Sequence, residues 1–334
     1  MTRPLAGRTA WLITDGKIGM DVQVKGVADA LGLAYHLKHV APREPFRMLS
    51  PFGPVDPRER LGQPGSPFAP PYPDLLLATG RLSIPYLRAV SRKAGLGTFS
   101  VVLQDPRTGE RTADLIWVPE HDRRRGPNVI TTLTAAHSFT RARLAQLREQ
   151  MPADIAALPS PRVALFLGGP SGVYVFDRDA QQRLARSIAS LAQQAGSFLV
   201  TASRRTPPEL LDAIKSAVAM RPSIIWDGGG TNPYPEFLAH ADVFVVTGDS
   251  VNMTGEACAT GRPVYVFEPG PGSEKFTRFH AALRRHGATR PLPETLSRIE
   301  QWAYSPLDSA NEIAAEIERR WLRRKAVLPG LMPA

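Results

Sequence analysis

Apolar residues in this chain come in short unbroken runs, and each run is followed by a loop and then by a stretch of helical period. Thr9–Thr14 (TAWLIT) passes through Asp15-Gly16-Lys17-Ile18-Gly19 into a helical stretch over Asp21–Leu31. Leu75–Thr79 (LLLAT) leads through Gly80 to a helix over Ile84–Arg92. Phe99–Leu103 (FSVVL), Asp114–Val118 (DLIWV) and a short Asn128–Thr132 (NVITT) continue the series. Strands this apolar on both faces, alternating with helices, predict a parallel sheet covered on both sides.

The pattern then restarts. Arg162–Leu167 (RVALFL) runs into Gly168-Gly169-Pro170-Ser171-Gly172, with a helix near Asp179–Ala195. Ser197–Thr201, Ser223–Trp226, Val243–Thr247 and Pro263–Phe267 are further strands, and Glu209–Met220 a further helix. Two βα series of similar size, separated by the helical, proline-ended stretch Arg141–Pro161, predict an α/β protein of two Rossmann-like domains with a cleft between them. The expected boundaries are 1–150 and 151–308. A last helix, Ser309–Lys325, and the tail to 334 are expected to pack at the domain junction.

Residues 42–73 break the rhythm. They hold ten of the 32 prolines and no sustained period, so an irregular loop is expected inside the first domain, either a lid or an insertion. Its Phe46, Met48, Leu49 and Phe52, with Arg43 and Arg47, are candidates to touch lipid or a hydrophobic acceptor.

Bulk composition narrows the setting. At 334 residues the chain fits two domains, and 43% apolar with 22% charged residues is ordinary for a folded protein. A single cysteine, Cys258, excludes an internal disulfide and a cysteine-based zinc site. No stretch is long and apolar enough for a signal peptide or a membrane span. A cytoplasmic protein is expected, free or peripheral on the inner face of the membrane. The net charge of +10, with basic runs at Arg123–Arg125 and Arg319–Lys325 (RRWLRRK), asks for an anionic partner. Nucleic acid is not expected, because no helix-turn-helix, zinc finger or aromatic RNA-binding signature accompanies the charge. Trp321 and Leu322 among the C-terminal cations suit a helix end resting on anionic headgroups; a solvated helix terminus, its cations favouring the dipole, accounts for them equally.

In open parallel sheets, ligands bind beyond the carboxyl ends of the strands. The best candidate there is Thr247–Glu256 (TGDSVNMTGE): a strand ends, Asp249 or Ser250 caps a helix, and Val251, Asn252 and Met253 begin it. Free N–H groups and the helix dipole at that end make an anion site, with Glu256 one to two turns on to accept from ribose hydroxyls. Ser203, Arg204, Arg205 and Thr206 follow another strand and supply donors and charge for a diphosphate. Gly168, Gly169 and Ser171 form a turn that lets backbone approach a ligand, and Gly228–Pro233, with Asn232, is a further loop where a base or sugar could dock. In the first domain Asp15, Asp105, Glu120, His121 and Asp122 stand at strand ends as acid–base candidates. Neither the dinucleotide nor the P-loop glycine pattern is present, and the scattered carboxylates give no two-metal signature.

These loops, in order, resemble a known family. Thr14-Asp15-Gly16-Lys17…Gln23, Leu103-Gln104-Asp105-Pro106-Arg107, Val118-Pro119-Glu120-His121-Asp122, Gly126-Pro127-Asn128-Val129, Gly168–Gly172, Thr201–Thr206, Asn232-Pro233-Tyr234 and Asp249-Ser250-Val251-Asn252-Met253…Glu256-Ala257 recur from residue 10 to about 270. They resemble the bacterial proteins similar to the plant elongated-mitochondria fission factor. The resemblance implies a glycosyltransferase fold of the GT-B type, metal-independent and without a cofactor, with the nucleotide held by the second domain. Gly16, Lys17, Gln104, Arg107 and Asn232 are expected as further ligand contacts. Bacterial relatives look like glycosyltransferases, sometimes labelled nucleotide-sugar epimerases, whereas the plant relative acts as an adaptor on mitochondria. This chain has Met20-Asp21 where many relatives have Gly-His, and Asn252 and Gly255 where serines are commoner. Three functions are therefore in play: transfer of a sugar from a nucleoside diphosphate to a lipid or envelope saccharide, epimerisation of a nucleotide sugar, and membrane or protein binding without catalysis.

Overall fold

The computed structural model describes residues 3–327. Residues up to Thr140 and from Asp308 onward form one unit, and Arg141–Leu307 form the other. Each is built on a six-stranded, all-parallel sheet. In the first unit the strands are β1 (Thr9–Thr14), β2 (Ala34–His39), β3 (Leu75–Thr79), β4 (Phe99–Leu103), β5 (Leu115–Pro119) and β6 (Val129–Thr132), in the order β2-β1-β3-β4-β5-β6. In the second they are β7 (Arg162–Leu167), β8 (Ser197–Ala202), β9 (Ser223–Trp226), β10 (Val243–Thr247), β11 (Val264–Phe267) and β12 (Thr289–Pro291), ordered β12-β11-β10-β7-β8-β9. The unbroken apolar runs became the interior strands: every residue of β3, β4, β5 and β10 is buried. Each sheet reverses its winding once, between β1 and β3 and between β7 and β10, and there the loops beyond neighbouring strands diverge to leave a crevice.

The first unit has a core on each face of its sheet. On one face the helices Ile18–Leu31 and Ser309–Val327 pack Val27, Leu31, Ile313, Ile317 and Trp321 against β1, β3 and β4. On the other, the helix Ile84–Ala94 and Phe68 cover Trp11, Ile13 and Ile116. The division of the chain therefore differs from the expected one. The first unit stops at Thr140 rather than 150, and the last helix belongs to its core. The tail beyond Val327 lies outside the described residues.

Two expectations about lipid contact change with this packing. Trp321 is only 2% exposed, so it is a core residue and not a headgroup anchor. Its neighbours are engaged as well: Arg319 and Arg320 pair with Glu316, and Arg324 pairs with Asp114 at 2.9 Å. The proline-rich segment is also no loose insertion. Phe68 is buried in edge contact with Trp11 (centroids 5.9 Å apart), Lys38 lies 4.4 Å over the Trp11 ring, and Arg81 donates to the Ser50 carbonyl. Its first half still leaves Met48 and Phe52 outside, 71% and 68% exposed.

A core Trp on a terminal helix makes a measurable claim. Trp321→Ala is expected to cost about 3–5 kcal/mol, the usual loss for deleting a buried large aromatic. Urea unfolding of the two proteins checks it; a loss under about 1 kcal/mol would detach this helix from the core.

Candidate functional site

The winding reversal in the second sheet brings together the loops after β7, β8 and β10, and one buried carboxylate joins them. The Asp249 side chain has no solvent exposure. Its Oδ2 accepts from the Gly169 amide at 3.1 Å and from Arg205 Nη2 at 2.9 Å. Arg205 also donates to the carbonyls of Gly169 and Pro170, at 3.2 and 3.0 Å. Thr206 Oγ1 lies within hydrogen-bond reach of the Leu167 and Gly168 carbonyls and accepts from the Ser203 amide. The Gly168 amide donates to Thr247 Oγ1 at 2.7 Å. No side chain fits at either glycine: a Cβ on Gly168 would stand 2.2 Å from Asp249 Oδ1, and one on Gly169 1.9 Å from the Arg205 carbonyl. Ser171 closes the adjoining turn, exchanging hydrogen bonds with Tyr174.

The N-cap of the helix Val251–Cys258 is Ser250, whose Oγ accepts from the Met253 amide; Asp249 is committed to the loop network instead. That leaves the Val251 and Asn252 amides at the helix mouth without an intrahelical acceptor. Arg204, next to the engaged Arg205, is exposed and has no partner among the described residues.

Deeper in the same helix, Glu256 is buried and accepts from the Tyr234 hydroxyl at 2.5 Å. Tyr234 is held by its ring contact with Phe166, 4.5 Å between centroids, and Asn232 caps its amide at 3.0 Å. Burial pushes the Glu256 carboxyl up to about 7, the tyrosine hydrogen bond pulling weakly the other way. Burial, reinforced by Glu256, holds the Tyr234 phenol well above its usual range.

His280 was not anticipated. It is buried on the helix Glu274–His286, its Nε2 2.8 Å from the Gly248 carbonyl, and burial lowers its pKa. As the neutral tautomer donating from Nε2, it fixes the backbone just ahead of Asp249. Its apolar-face position beside Phe279 and Leu283 was the available signal, which reads as core in a sequence.

In the first unit the reversal between β1 and β3 opens a hollow of about 350 Å³ lined by Asp15, Lys17, Met20, Gly80, Gln104 and Arg107. Asp15 is nearly enclosed and pairs with Lys17 at 2.6 Å. Gly16 and Gly80 both have positive φ, and the Asp15 carboxylate sits 3.5 Å from where a Gly80 Cβ would be. Gln104 and Arg107 adopt φ of 76° and 58°, a costly conformation for residues with side chains. Gln104 Nε2 donates to Gln23 at 2.8 Å; Asp105 receives the Arg107 amide and the Arg124 guanidinium. Glu120, His121 and Asp122 form the turn after β5 and do not line this hollow, so the structure does not join them to Asp15. Asp21 accepts from Thr14 at 2.6 Å and holds His39 of β2 at 2.9 Å. Among the described residues no group of three or more metal-ligating side chains is gathered, and no helix is long and apolar enough to cross a membrane.

Two parallel-sheet units of this kind make an α/β protein of two Rossmann-like domains, of GT-B-like class. Solved structures share the fold: the UDP-GlcNAc 2-epimerase of Methanocaldococcus jannaschii matches with a TM-score of 0.54 at 11% identity, over 93% of this chain and 99% of that one. The epimerase of Neisseria meningitidis bound to UDP-GlcNAc matches with 0.51 at 12%, over 92% and 99%. At such identities the likeness is one of fold. The chain itself belongs to the mitochondrial fission ELM1 family, whose model matches residues 18–321. Mitochondrial fission protein ELM1 of Arabidopsis thaliana is 30% identical, over 75% of this chain and 65% of that protein, so this chain spans about two thirds of that relative's length.

The raised Glu256 pKa has a sign that can be checked. A folded-state value of about 7 against the ordinary 4.5 means that the native protein keeps a proton the unfolded chain loses. Stability conferred by the neutral carboxyl is present below pH 4.5 and lost as pH rises to 7, by roughly 3 kcal/mol. Glu256→Gln removes this loss. Denaturation across pH should show the variant gaining on the wild type between pH 4.5 and 7; parallel profiles would contradict the assignment.

Proposed function

We propose that this protein binds a nucleoside-diphosphate sugar in its second unit and transfers the sugar to a lipid-linked or envelope saccharide acceptor without a metal. The observation that carries the reading is the arrangement at the β7–β10 reversal. There an open helix mouth, an unpartnered Arg204 and a buried Glu256 belong to neighbouring loops of one sheet end. The Val251 and Asn252 amides and the helix dipole suit the two phosphates, whose charge grows as the sugar leaves. Arg204 adds a bidentate cation. Glu256, whose proton burial holds more firmly than usual, up to about pH 7, accepts from ribose hydroxyls when ionised, beside its bond from Tyr234. Arg205 serves by holding Asp249 and the loop shape rather than by touching phosphate. Inverting transfer also needs a base for the acceptor hydroxyl. Asp15 is the residue we assign to it, in a hollow large enough for a hydroxyl-bearing group, with Lys17 paired to it at 2.6 Å.

The second reading is epimerisation of a nucleotide sugar, favoured by the fold shared with the two UDP-GlcNAc 2-epimerases. Both readings make UDP-GlcNAc the first ligand to try. Product analysis without acceptor separates them, because an epimerised sugar supports the second reading and an unchanged donor the first.

Calorimetric titration with UDP-, GDP-, CMP- and ADP-sugars in EDTA should find binding to one nucleotide class. Arg204→Ala should weaken it roughly tenfold with unchanged thermal stability, the scale of one charge-assisted contact. Failure of every nucleotide to bind the folded protein would overturn the reading and leave membrane or protein binding without catalysis.

A further inference from the structure

The first unit carries a second concentration of cationic groups, which adjoins the Asp15 hollow through Arg107. Three adjoining hollows of about 510, 420 and 390 Å³ share their walls. Arg88 lines all three, Phe52 the first and second, Arg92 the first and third, and Arg111 the second and third. Arg60 and Arg107 stand at the outer ends. Four of these arginines, Arg60, Arg92, Arg107 and Arg111, are exposed, and their guanidinium groups have no carboxylate or carbonyl partner among the described residues. Arg88 is half-buried and touches only the Phe52 carbonyl, at 3.3 Å. The carboxylates along the walls are already engaged: Asp56 with Arg43, and Asp114 with Arg324 and Ser100.

Unpaired guanidinium groups gathered on one face raise its positive potential and remain there at a cost in folding energy. Here they are interleaved with exposed apolar side chains. Phe52 (68% exposed) sits between two hollows, Leu96 (52%) edges the third, and Met48 (71%) and Leu49 (46%) lie one turn before Phe52. A soluble polyanion would use the cations and leave the apolar groups in water. A single phosphate would need the guanidiniums to converge, whereas they are spread along two turns of the helix Ile84–Ala94 and the turn Glu110–Thr112. Cations at headgroup level with aromatic and aliphatic side chains beside them match an anionic bilayer surface.

We propose that this face of the first unit, centred on Phe52, Arg88, Arg92 and Arg111, docks on anionic membrane. The contact is separate from the nucleotide site, because none of its residues belongs to the second unit and binding to lipid needs no nucleotide. It also places the membrane side on the proline-rich segment and its neighbours rather than on the paired cations of the C-terminal helix.

Vesicle flotation tests this with the full chain. Phosphatidylcholine vesicles containing a third phosphatidylglycerol should bind the protein, and pure phosphatidylcholine should not; binding should fall with added salt. The variant Arg60→Glu, Arg92→Glu, Arg111→Glu changes only exposed, unpartnered side chains, so its circular dichroism and melting temperature should match the parent's. Its partitioning onto anionic vesicles should drop on the order of a hundredfold, about fivefold for each cation removed. Phe52→Ser with Leu96→Ser should weaken binding at unchanged charge. Arg319→Glu, on the C-terminal helix, should retain it. Three results would overturn the proposal: no binding to anionic vesicles, undiminished binding by the triple variant, or loss confined to Arg319→Glu. Tight binding of a soluble polyphosphate with none to vesicles would do the same. Nucleotide titration of the triple variant is an independent readout and should equal the parent's.

Discussion

The second unit is organised by the need to shelter one carboxylate. Asp249 is shut off from water, and a buried charge is tolerable only with ionic and hydrogen-bonding partners at close range; removing a partner from such a pair costs about 3–5 kcal/mol. The guanidinium comes from the loop after β8 and the amide from the loop after β7. So three loops that diverge at a winding reversal are forced to meet. Their sequences follow from that meeting. Gly168 and Gly169 are bare because Asp249 and the Arg205 backbone occupy the space a side chain would need. Thr247 and Thr206 are there to satisfy amides and carbonyls that the close approach takes from water. His280 does the same for Gly248. With Asp249 drawn inward, Ser250 takes over the cap and the helix mouth is left open.

The first unit solves the same topology differently. At its reversal the carboxylate, Asp15, is held by a lysine whose side chain is 71% exposed, and the loops are not stitched to one another. The result is a hollow instead of a network. Its far wall, Gln104–Arg107, adopts left-handed backbone at two residues that carry side chains. Such conformations persist only where surrounding contacts enforce them, here the Gln104–Gln23 and Asp105–Arg124 bonds. One unit therefore offers a preformed backbone cradle, the other a pocket shaped by side chains. The proposed reaction asks for that difference, a rigid site for the donor and an adaptable one for the acceptor.

The interior strands were legible because burial on both faces leaves a signature no other element shares: LLLAT, FSVVL, RVALFL and VFVVT each form a strand within a residue of their apolar limits. Two of the four edge strands, Val129–Thr132 and Ser223–Trp226, were legible as well, and the other two were not. Ala34–His39 reads AYHLKH, half polar because an edge strand is wet on one side, and Thr289–Pro291 is too short to show a period. The helix Glu274–His286 hid behind its charges, and His280 with it. The loops that hold ligand-site candidates were found from their place after strands, but the duties inside them were not. Arg204 and Arg205 look alike in a sequence; only the depth of Asp249 decides which guanidinium is engaged. Likewise Trp321 sits among five cations in sequence and among Ile313, Ile317 and Val27 in space.

That last contrast explains why net charge was a poor guide to where an anionic partner binds. A count of 41 basic residues weighs every cation equally. In the folded chain, Arg319 and Arg320 share Glu316 one turn away and Arg324 reaches Asp114, so three of the five cations in the densest basic run are paired, while Arg323 stays exposed. Arg60, Arg92 and Arg111 are scattered across fifty residues and make no run at all. The proline-rich segment, the helix Ile84–Ala94 and the turn before β5 bring them to one surface, where the nearby carboxylates are already taken. Pairing, which depends on the fold, converts charge into potential; spacing along the chain does not. An electrostatic surface can thus be assembled by a segment whose only sequence signal was its lack of regular structure.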